Sequence, residues 1–154
     1  MSNNGRLKVV PSVFAIIEKQ GKYLLLRRAN TGYMDGWYDL PAGHLENGEE
    51  LKVGAARELK EEAGLDASPK HLKLVHVYQN HTNDPPHYGY IFLAQKWRGQ
   101  PKIQEPHKCD HMGWFGLKDL PERILPYTKK ALENLVNFVE PSVSYQGPNS
   151  INAD

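Results

Sequence analysis

The sequence lacks the features of secreted, membrane-embedded and nucleic-acid-binding proteins. It has a single cysteine, Cys109, which excludes an intrachain disulfide and suits the reducing cytoplasm, where we expect the protein to act. No apolar run approaches the roughly 20 residues of a membrane-spanning helix, and polar residues 1–8 lack the apolar core of a signal peptide. The formal net charge of +1 creates no strong field, so neither nucleic acid nor a membrane is an expected partner.

The composition is that of one globular domain. Of the 154 residues, 40% are hydrophobic and 24% are charged, which is ordinary for a folded domain with a sizeable core. We expect residues 7–141 to form this domain and residues 1–6 to be disordered. Residues 142–154 are rich in Ser, Gly, Asn and Pro, and we predict a disordered tail there.

Hydrophobic periodicity predicts strands and helices that do not alternate strictly. Runs of β-branched and aromatic residues predict strands at residues 9–18, 23–28, 72–78, 88–97 and 112–115. The first two flank a turn that ends in Gly21, so we expect them to pair as a hairpin. Helices are predicted at residues 47–65 and 127–139, and Pro141 is expected to end the second. This mixture predicts the α+β class with a mixed sheet.

The helix predicted at residues 47–65 has clear boundary signals. Asn47 and Glu50 resemble a capping box at its start, and Gly64 is a typical helix-ending residue. An apolar stripe recurs every four residues along this helix and is predicted to be buried, namely Leu51, Ala55 and Leu59.

Three carboxylates share one face of this helix. Glu58, Glu61 and Glu62 lie at i, i+3 and i+4, and we expect them opposite the apolar stripe. Like charges at this spacing destabilise a helix by roughly a few tenths of a kcal/mol. A bound divalent cation removes the repulsion, and Mg²⁺ prefers carboxylate and phosphate oxygens. Considered alone, however, the pattern favours an ordinary solvated face on which Arg57 pairs with Glu61.

The spacing around these carboxylates is much more specific. Seven fixed residue types at roughly one in twenty each match by chance on the order of once per billion start positions. The matching residues, with two apolar positions, are Gly43, Glu49, Arg57, Glu58, Leu59, Glu61, Glu62, Gly64 and Leu65. This pattern over residues 43–65 resembles the complete Nudix box. The WYDLPAG lead-in and the late Trp-Phe strand also resemble Nudix proteins.

The resemblance implies a fold, a reaction and a metal. Nudix proteins are α/β/α sandwiches in which the box forms a loop, a helix and a loop on a mixed β-sheet. The resemblance implies hydrolysis of a nucleoside diphosphate linked to a further group, with Mg²⁺ as the cofactor and Mn²⁺ as a substitute. We therefore expect an enzyme that acts on the phosphoanhydride bond of a small nucleotide. Family members often form homodimers, and no feature of this sequence demands one.

The resemblance also assigns metal ligands. In MutT-like members they correspond to the backbone carbonyl of Ala42 and to the carboxylates of Glu58, Glu61, Glu62 and Glu105. Asp110 is the second candidate for the role assigned to Glu105. Either Glu58 or Glu105 is the expected base that takes a proton from the attacking water, and the sequence leaves this choice open. The common lead-in has two glycines, so the alanine at position 42 raises the question of whether the backbone there avoids positive φ.

Further residues complete the expected site. Arg57 and Glu49 resemble a buried pair that orients the metal ligands. Gly43 resembles the tight turn that enters the box, and it is expected to contact substrate together with Arg28. The expected catalytic residues are Glu58, Glu61, Glu105 and Arg57.

The substrate is predicted by elimination. The mark of the ADP-ribose subgroup, a proline about sixteen residues after the box, is replaced by Asn80 and His81. The marks of the dinucleoside polyphosphate and coenzyme A subgroups are also absent. A nucleoside triphosphate or modified dNTP, cleaved to a nucleoside monophosphate and pyrophosphate, is therefore the leading expectation. ADP-ribose or a nucleotide sugar is the alternative substrate. A non-catalytic nucleotide-binding module is a further alternative, which the intact box glutamates disfavour.

Overall fold

The computed structural model describes residues 4–148, which form nine strands and two α-helices. No helix in this part is long and apolar enough to cross a membrane. The strands are β1 (Val10–Ile16), β2 (Glu18–Lys19), β3 (Lys22–Arg28), β4 (Tyr38–Asp39), β5 (Ala42–His44), β6 (Leu72–Asn80), β7 (His87–Ala94), β8 (Cys109–Gly116) and β9 (Ser142–Gln146). The helices are α1 (Leu51–Ala63) and α2 (Pro126–Asn134).

A mixed five-stranded sheet forms the central layer, with the strand order β5-β1-β7-β6-β9. β1 is parallel to β7 and antiparallel to β5, and β6 is antiparallel to β7 and parallel to β9. Both faces of β1 are buried, since Val13 and Ala15 join the core under α1, whereas Phe14 and Ile16 join the core under α2. This layering confirms the predicted α+β class and the α/β/α sandwich.

A second sheet is built around β3, which pairs antiparallel with β2, β4 and β8. The predicted hairpin between residues 9–18 and 23–28 is confirmed only beside its turn, where Glu18 pairs with Tyr23. It is wrong for the rest of its length, because β1 and β3 belong to different sheets. Only β2 folds back onto β3, through a tight turn in which Gln20 and Gly21 have φ angles of 52° and 76°. Periodicity recognises apolar strands such as these, but it does not tell which strands pair.

The boundaries of α1 agree with the prediction at one end only. Gly64 ends the helix in the left-handed conformation, with φ of 71°. The capping box of Asn47 and Glu50 is wrong, because the helix begins at Leu51 and the Glu50 side chain makes no capping hydrogen bond. The predicted apolar stripe is buried at Ala55 and Leu59.

The last helix is shorter than predicted. α2 ends at Asn134 and not near residue 139. Val136 and Val139, whose apolar spacing extended the predicted helix to residue 139, are 63% and 89% exposed. The apolar spacing therefore continues beyond the part of the helix that the core covers.

The predicted disorder after residue 141 is wrong for Ser142–Gln146, which form β9. Fully buried His76 on β6 explains this order, since its two ring nitrogens bind the hydroxyls of Ser142 and Ser144 at 2.6 and 2.9 Å. A polar partner far away in sequence thus orders a segment of disorder-like composition. The rest of the disorder predicted at the termini falls largely on residues 1–3 and 149–154, which lie outside the described residues.

Candidate active site

A cleft of about 460 Å³ lies at the junction of α1 with β3, β4 and β5. Four glutamates that the sequence analysis singled out line this cleft. They are Glu58, Glu61 and Glu62 of the Nudix-like pattern and Glu105 downstream of it. The same cleft is lined by the cations Arg27, Arg28 and Lys108. A larger cleft of about 880 Å³, around Lys60 and Trp97, contains none of these carboxylates, so size does not identify the site.

Gly43 is required by a close approach and not by a turn. It lies in β5, pairs with Val13 and does not have positive φ, so the expected tight turn is wrong. A Cβ added at this position would lie 2.0 Å from Cδ of Glu58 and 2.1 and 2.4 Å from its oxygens. Ala42 lies in the same strand and also avoids positive φ, so its departure from the two-glycine lead-in is tolerated.

One guanidinium group organises the carboxylates of the box. Arg57 donates through Nε and Nη2 to both oxygens of Glu49, at 2.7 and 2.9 Å. Its Nη1 donates to Glu58 at 2.8 Å and to Glu61 at 3.2 Å. The hydrogen bond from Arg57 is the main cause that lowers the pKa of Glu49 to about 2, assisted by the N–H of Glu46. The structure therefore contains the Arg57–Glu49 ion pair, although both residues are half-buried and not fully buried, and their expected role in orienting metal ligands stays a prediction.

Burial and like charges act on the two inner carboxylates of α1. Glu58 is only 8% exposed beneath β5, so the expectation that it lies opposite the buried stripe is wrong. Burial also raises the pKa of Glu58. The pKa of Glu62 is raised to about 8, first by burial and then by the negative charges of Glu58, Asp39 and Glu105. The N–H of Ala42 donates to Glu62 at 3.2 Å and partly opposes this rise.

These carboxylates have the chemistry of a divalent-cation site. Hard cations take oxygen ligands, and a cation offsets the repulsion between desolvated carboxylates. Within residues 4–148, no three acidic, histidine or cysteine side chains converge as a ready-made metal site. Instead, Arg57 holds Glu58 and Glu61, and the N–H of Ala42 holds Glu62. A cation would therefore compete with hydrogen bonds that already orient its ligands.

Comparison with known proteins decides the family. The family model described as the NUDIX domain matches residues 6–135, most of the chain. This chain belongs to the NUDIX family. The resemblance found in the sequence is thereby confirmed.

Named Nudix relatives come from several organisms. The chain is 34% identical to an ADP-ribose pyrophosphatase of Methanocaldococcus jannaschii, over 80% of this chain and 73% of the relative. It is 27% identical to the 8-oxo-dGTP diphosphatase of Escherichia coli, over 80% and 95%. Among solved structures, a MutT NUDIX hydrolase from Burkholderia pseudomallei superposes with a TM-score of 0.75 at 28% identity, covering 82% of this chain and 97% of that one. The Nudix protein is accordingly a hydrolase that acts on phosphoanhydride bonds.

Arg28 lines the Nudix cleft, and the loop after β3 holds it in place. Its Nε donates to the carbonyl of Tyr33 at 2.8 Å, and its Nη2 donates to the hydroxyl of Thr31 at 3.1 Å. The guanidinium carbon lies 5.4 Å from the centre of the Tyr33 ring. Sequence reasoning missed Thr31, because a single threonine in a loop carries no distinguishing signal.

Downstream of the box, the geometry favours Glu105 over Asp110 as the candidate metal ligand. Glu105 lines the cleft, with its carboxylate 3.7 Å from Nζ of Lys108. Asp110 does not line the cleft and is paired with Arg27 at 2.7 Å. Lys108 was not anticipated, although its position three residues after Glu105 was visible in the sequence. A turn in the structure brings the two residues together. Cys109 is buried, and burial raises the pKa of its thiol.

Asp39 is a further cleft residue that sequence reasoning missed. It is 3% exposed and accepts hydrogen bonds from Tyr127, Thr128 and the N–H of Leu40, at 2.8, 2.5 and 2.7 Å. Burial raises the pKa of Asp39, and these three donors oppose the rise. Through them Asp39 joins the start of α2 to the cleft. An acid in the apolar WYDLPAG lead-in was the available signal.

Proposed function

We propose that this Nudix hydrolase cleaves a nucleoside triphosphate, or a modified dNTP, to a nucleoside monophosphate and pyrophosphate with Mg²⁺ as its cofactor. The observation that carries the proposal is the lining of one cleft by four glutamates together with Arg28 and Lys108. The glutamates suit a metal ion, and the cations suit the charge of a phosphate chain. The name of the Escherichia coli relative, an 8-oxo-dGTP diphosphatase, supports a triphosphate substrate.

The donor set fits a divalent metal ion, which members of this family generally use. The raised pKa of Glu62, caused by burial and by neighbouring carboxylates, is the feature that a bound cation would relieve. The residues that would hold Mg²⁺, or Mn²⁺ in its place, are the carbonyl of Ala42 and the carboxylates of Glu58, Glu61, Glu62 and Glu105. When bound, the metal neutralises charge that builds on the phosphates in the transition state.

The protein's own residues then bind, orient and move a proton. Arg57, fixed by Glu49, keeps Glu58 and Glu61 in place. Arg28 binds a phosphate of the substrate. Glu105 is the base in this proposal, through the carboxylate oxygen that would not hold the metal. Arg57 already occupies one oxygen of Glu58, whereas among residues 4–148 the Glu105 carboxylate has only the longer ion-pair contact with Lys108.

A second substrate class is ADP-ribose. The observation that favours it is the 34% identity with the archaeal ADP-ribose pyrophosphatase. The hydrolysed bond and the acidic cleft stay the same, and only the group beyond the second phosphate differs. The products distinguish the two candidates, since a triphosphate yields pyrophosphate and ADP-ribose yields AMP and ribose 5-phosphate.

A substrate panel tests the proposal. The purified protein is assayed with dNTPs, 8-oxo-dGTP, ADP-ribose and a nucleotide sugar, each with and without Mg²⁺, and the products are identified by chromatography. We expect Mg²⁺-dependent release of pyrophosphate from a triphosphate and loss of this activity in Glu61→Gln. The matched control is Glu133→Gln, which changes an exposed glutamate of α2 outside the cleft. Hydrolysis of none of these compounds, despite Mg²⁺ binding, would indicate the non-catalytic binding module.

A further inference from the structure

The loop between β3 and β4 is folded around the carboxylate of Asp35. One oxygen of Asp35 accepts from the N–H and the hydroxyl of Thr31, at 3.0 and 2.6 Å. The other oxygen accepts from the N–H of Gly32 at 3.1 Å. These bonds, with that of the Thr31 hydroxyl first, hold the pKa of Asp35 below its usual value. Asp35 is therefore an ionised acceptor for the loop at neutral pH.

Asp35 determines how the hydroxyl of Thr31 is oriented. A hydroxyl has one hydrogen and two lone pairs. The charged oxygen of Asp35 is nearer to it than the carbonyl of Tyr33, at 2.6 Å against 2.9 Å, and a charged acceptor forms the stronger hydrogen bond. The hydrogen of Thr31 is thus directed to Asp35. Its lone pairs remain to accept from Nη2 of Arg28 at 3.1 Å.

Most of the N–H donors of Arg28 remain available for hydrogen bonds in the cleft. A guanidinium group has five N–H donors, and contacts with Thr31 and the carbonyl of Tyr33 use two of them. Within residues 4–148, the remaining donors of Arg28 have no hydrogen-bond partner, and the side chain lines the cleft. The loop therefore fixes the direction of the guanidinium group without consuming its capacity to bind phosphate.

The loop needs such bonds to hold one conformation. Asn30 and Met34 have φ angles of 54° and 50°, which are unfavourable for residues other than glycine. Gly32 and Gly36 are also left-handed, at 80° and 85°. The two non-glycine residues make this short loop costly to order, and the bonds to Asp35 offset that cost.

We propose that Thr31 and Asp35 are positioning residues, which orient Arg28 to receive a phosphate of the substrate. This inference rests on the proposed function, in which Arg28 is a substrate contact. Because Arg28 is held before substrate arrives, less side-chain freedom is lost on binding. We call the hydrogen bonds that run from Asp35 through Thr31 to Arg28 the relay. Its loss should therefore affect substrate binding more than the chemical step.

Variants of Thr31 test the relay with 8-oxo-dGTP and Mg²⁺. Thr31→Val removes the hydroxyl at nearly constant shape, and we expect KM to rise about tenfold, the usual effect of losing a hydrogen bond to a charged group. We expect kcat to stay within about twofold. Thr31→Ser keeps the hydroxyl and should restore KM. The matched control is Thr82→Val, which removes a hydroxyl that bonds to Asn80 outside the cleft.

A double-mutant cycle distinguishes positioning from general loop damage. Arg28→Ala should raise KM by itself, and adding Thr31→Val should then have no further effect on KM. Additive effects, or an unchanged KM in Thr31→Val, would overturn the relay while leaving the proposed function intact.

Calorimetry with the non-hydrolysable α,β-methylene analogue of dGTP makes the same comparison without turnover. If the wild-type protein hydrolyses none of the triphosphates in the substrate panel, the proposed function is refuted. The relay is refuted separately if Thr31→Val binds this analogue as tightly as the wild-type protein does.

Discussion

Replacing Gly43 by alanine tests the close approach between β5 and α1. The added Cβ would lie 2.0 Å from Cδ of Glu58, and an ordinary contact begins at 3.4 Å, so the carboxylate must retreat by more than an ångström. Glu58 is buried and bonded to Arg57 at 2.8 Å, so this movement breaks that hydrogen bond. The backbone itself is not strained by alanine, because Gly43 lacks positive φ.

The size of the effect follows from the contact that is lost. A hydrogen bond between charged groups contributes about 1.5–3 kcal/mol. For a domain of this size each kcal/mol corresponds to roughly 2–4 °C, so we expect Tm to fall by about 3–12 °C. Displacing a group of the site by about 1 Å can reduce kcat by about a hundredfold. Activity should therefore suffer much more than folding.

Thermal unfolding and steady-state kinetics of Gly43→Ala measure both effects. The matched control is Gly116→Ala, because Gly116 has φ of −74° and its nearest atom to an added Cβ is 3.6 Å away. We expect this control to resemble the wild-type protein. Wild-type kcat and Tm in Gly43→Ala would show that Glu58 does not need its observed position, and the argument for this residue would fail.

Three further predictions concern other parts of the site. The pKa of Glu62 is about 8, whereas its ordinary value is 4.5. Because the folded protein holds this proton more tightly than the unfolded chain, the contribution of Glu62 to the stability of the metal-free protein should be greatest below pH 4.5 and fall towards pH 8. Denaturant titrations should lose this trend in Glu62→Gln, and an unchanged trend contradicts the assignment. Glu105→Gln should lower kcat by about a hundredfold or more at saturating Mg²⁺; a normal pH–rate profile would exclude Glu105 as the base. Asp39→Asn leaves one donor to Asp39 unpaired and should lower the unfolding free energy by about 1–3 kcal/mol, and an unchanged denaturation midpoint would argue against this.

Local patterns predicted the parts of the site that lie within one helix. Glu58, Glu61 and Glu62 share a region of α1 because helical geometry relates residues three and four apart. Gly64 ends the helix for an equally local reason, since only glycine adopts the left-handed conformation without cost. Glu105 was found through its resemblance to a family position and not from a local pattern.

The predictions that were wrong depended on distant partners. Asn47 does not cap α1, because the loop before the helix instead delivers Glu49 to Arg57. β9 was assigned to disorder because no local signal reveals the buried His76 that binds it.

The sequence by itself determined the family and the class of reaction and predicted the three box glutamates, because these follow from residue types at fixed spacing. Only the tertiary structure decided what surrounds them. Gly43 meets Glu58 across two elements, Asp39 binds residues of α2, and Thr31 bonds to Arg28 across a folded loop. Such contacts depend on how strands pair and how layers pack, and spacing along the chain does not encode those distances.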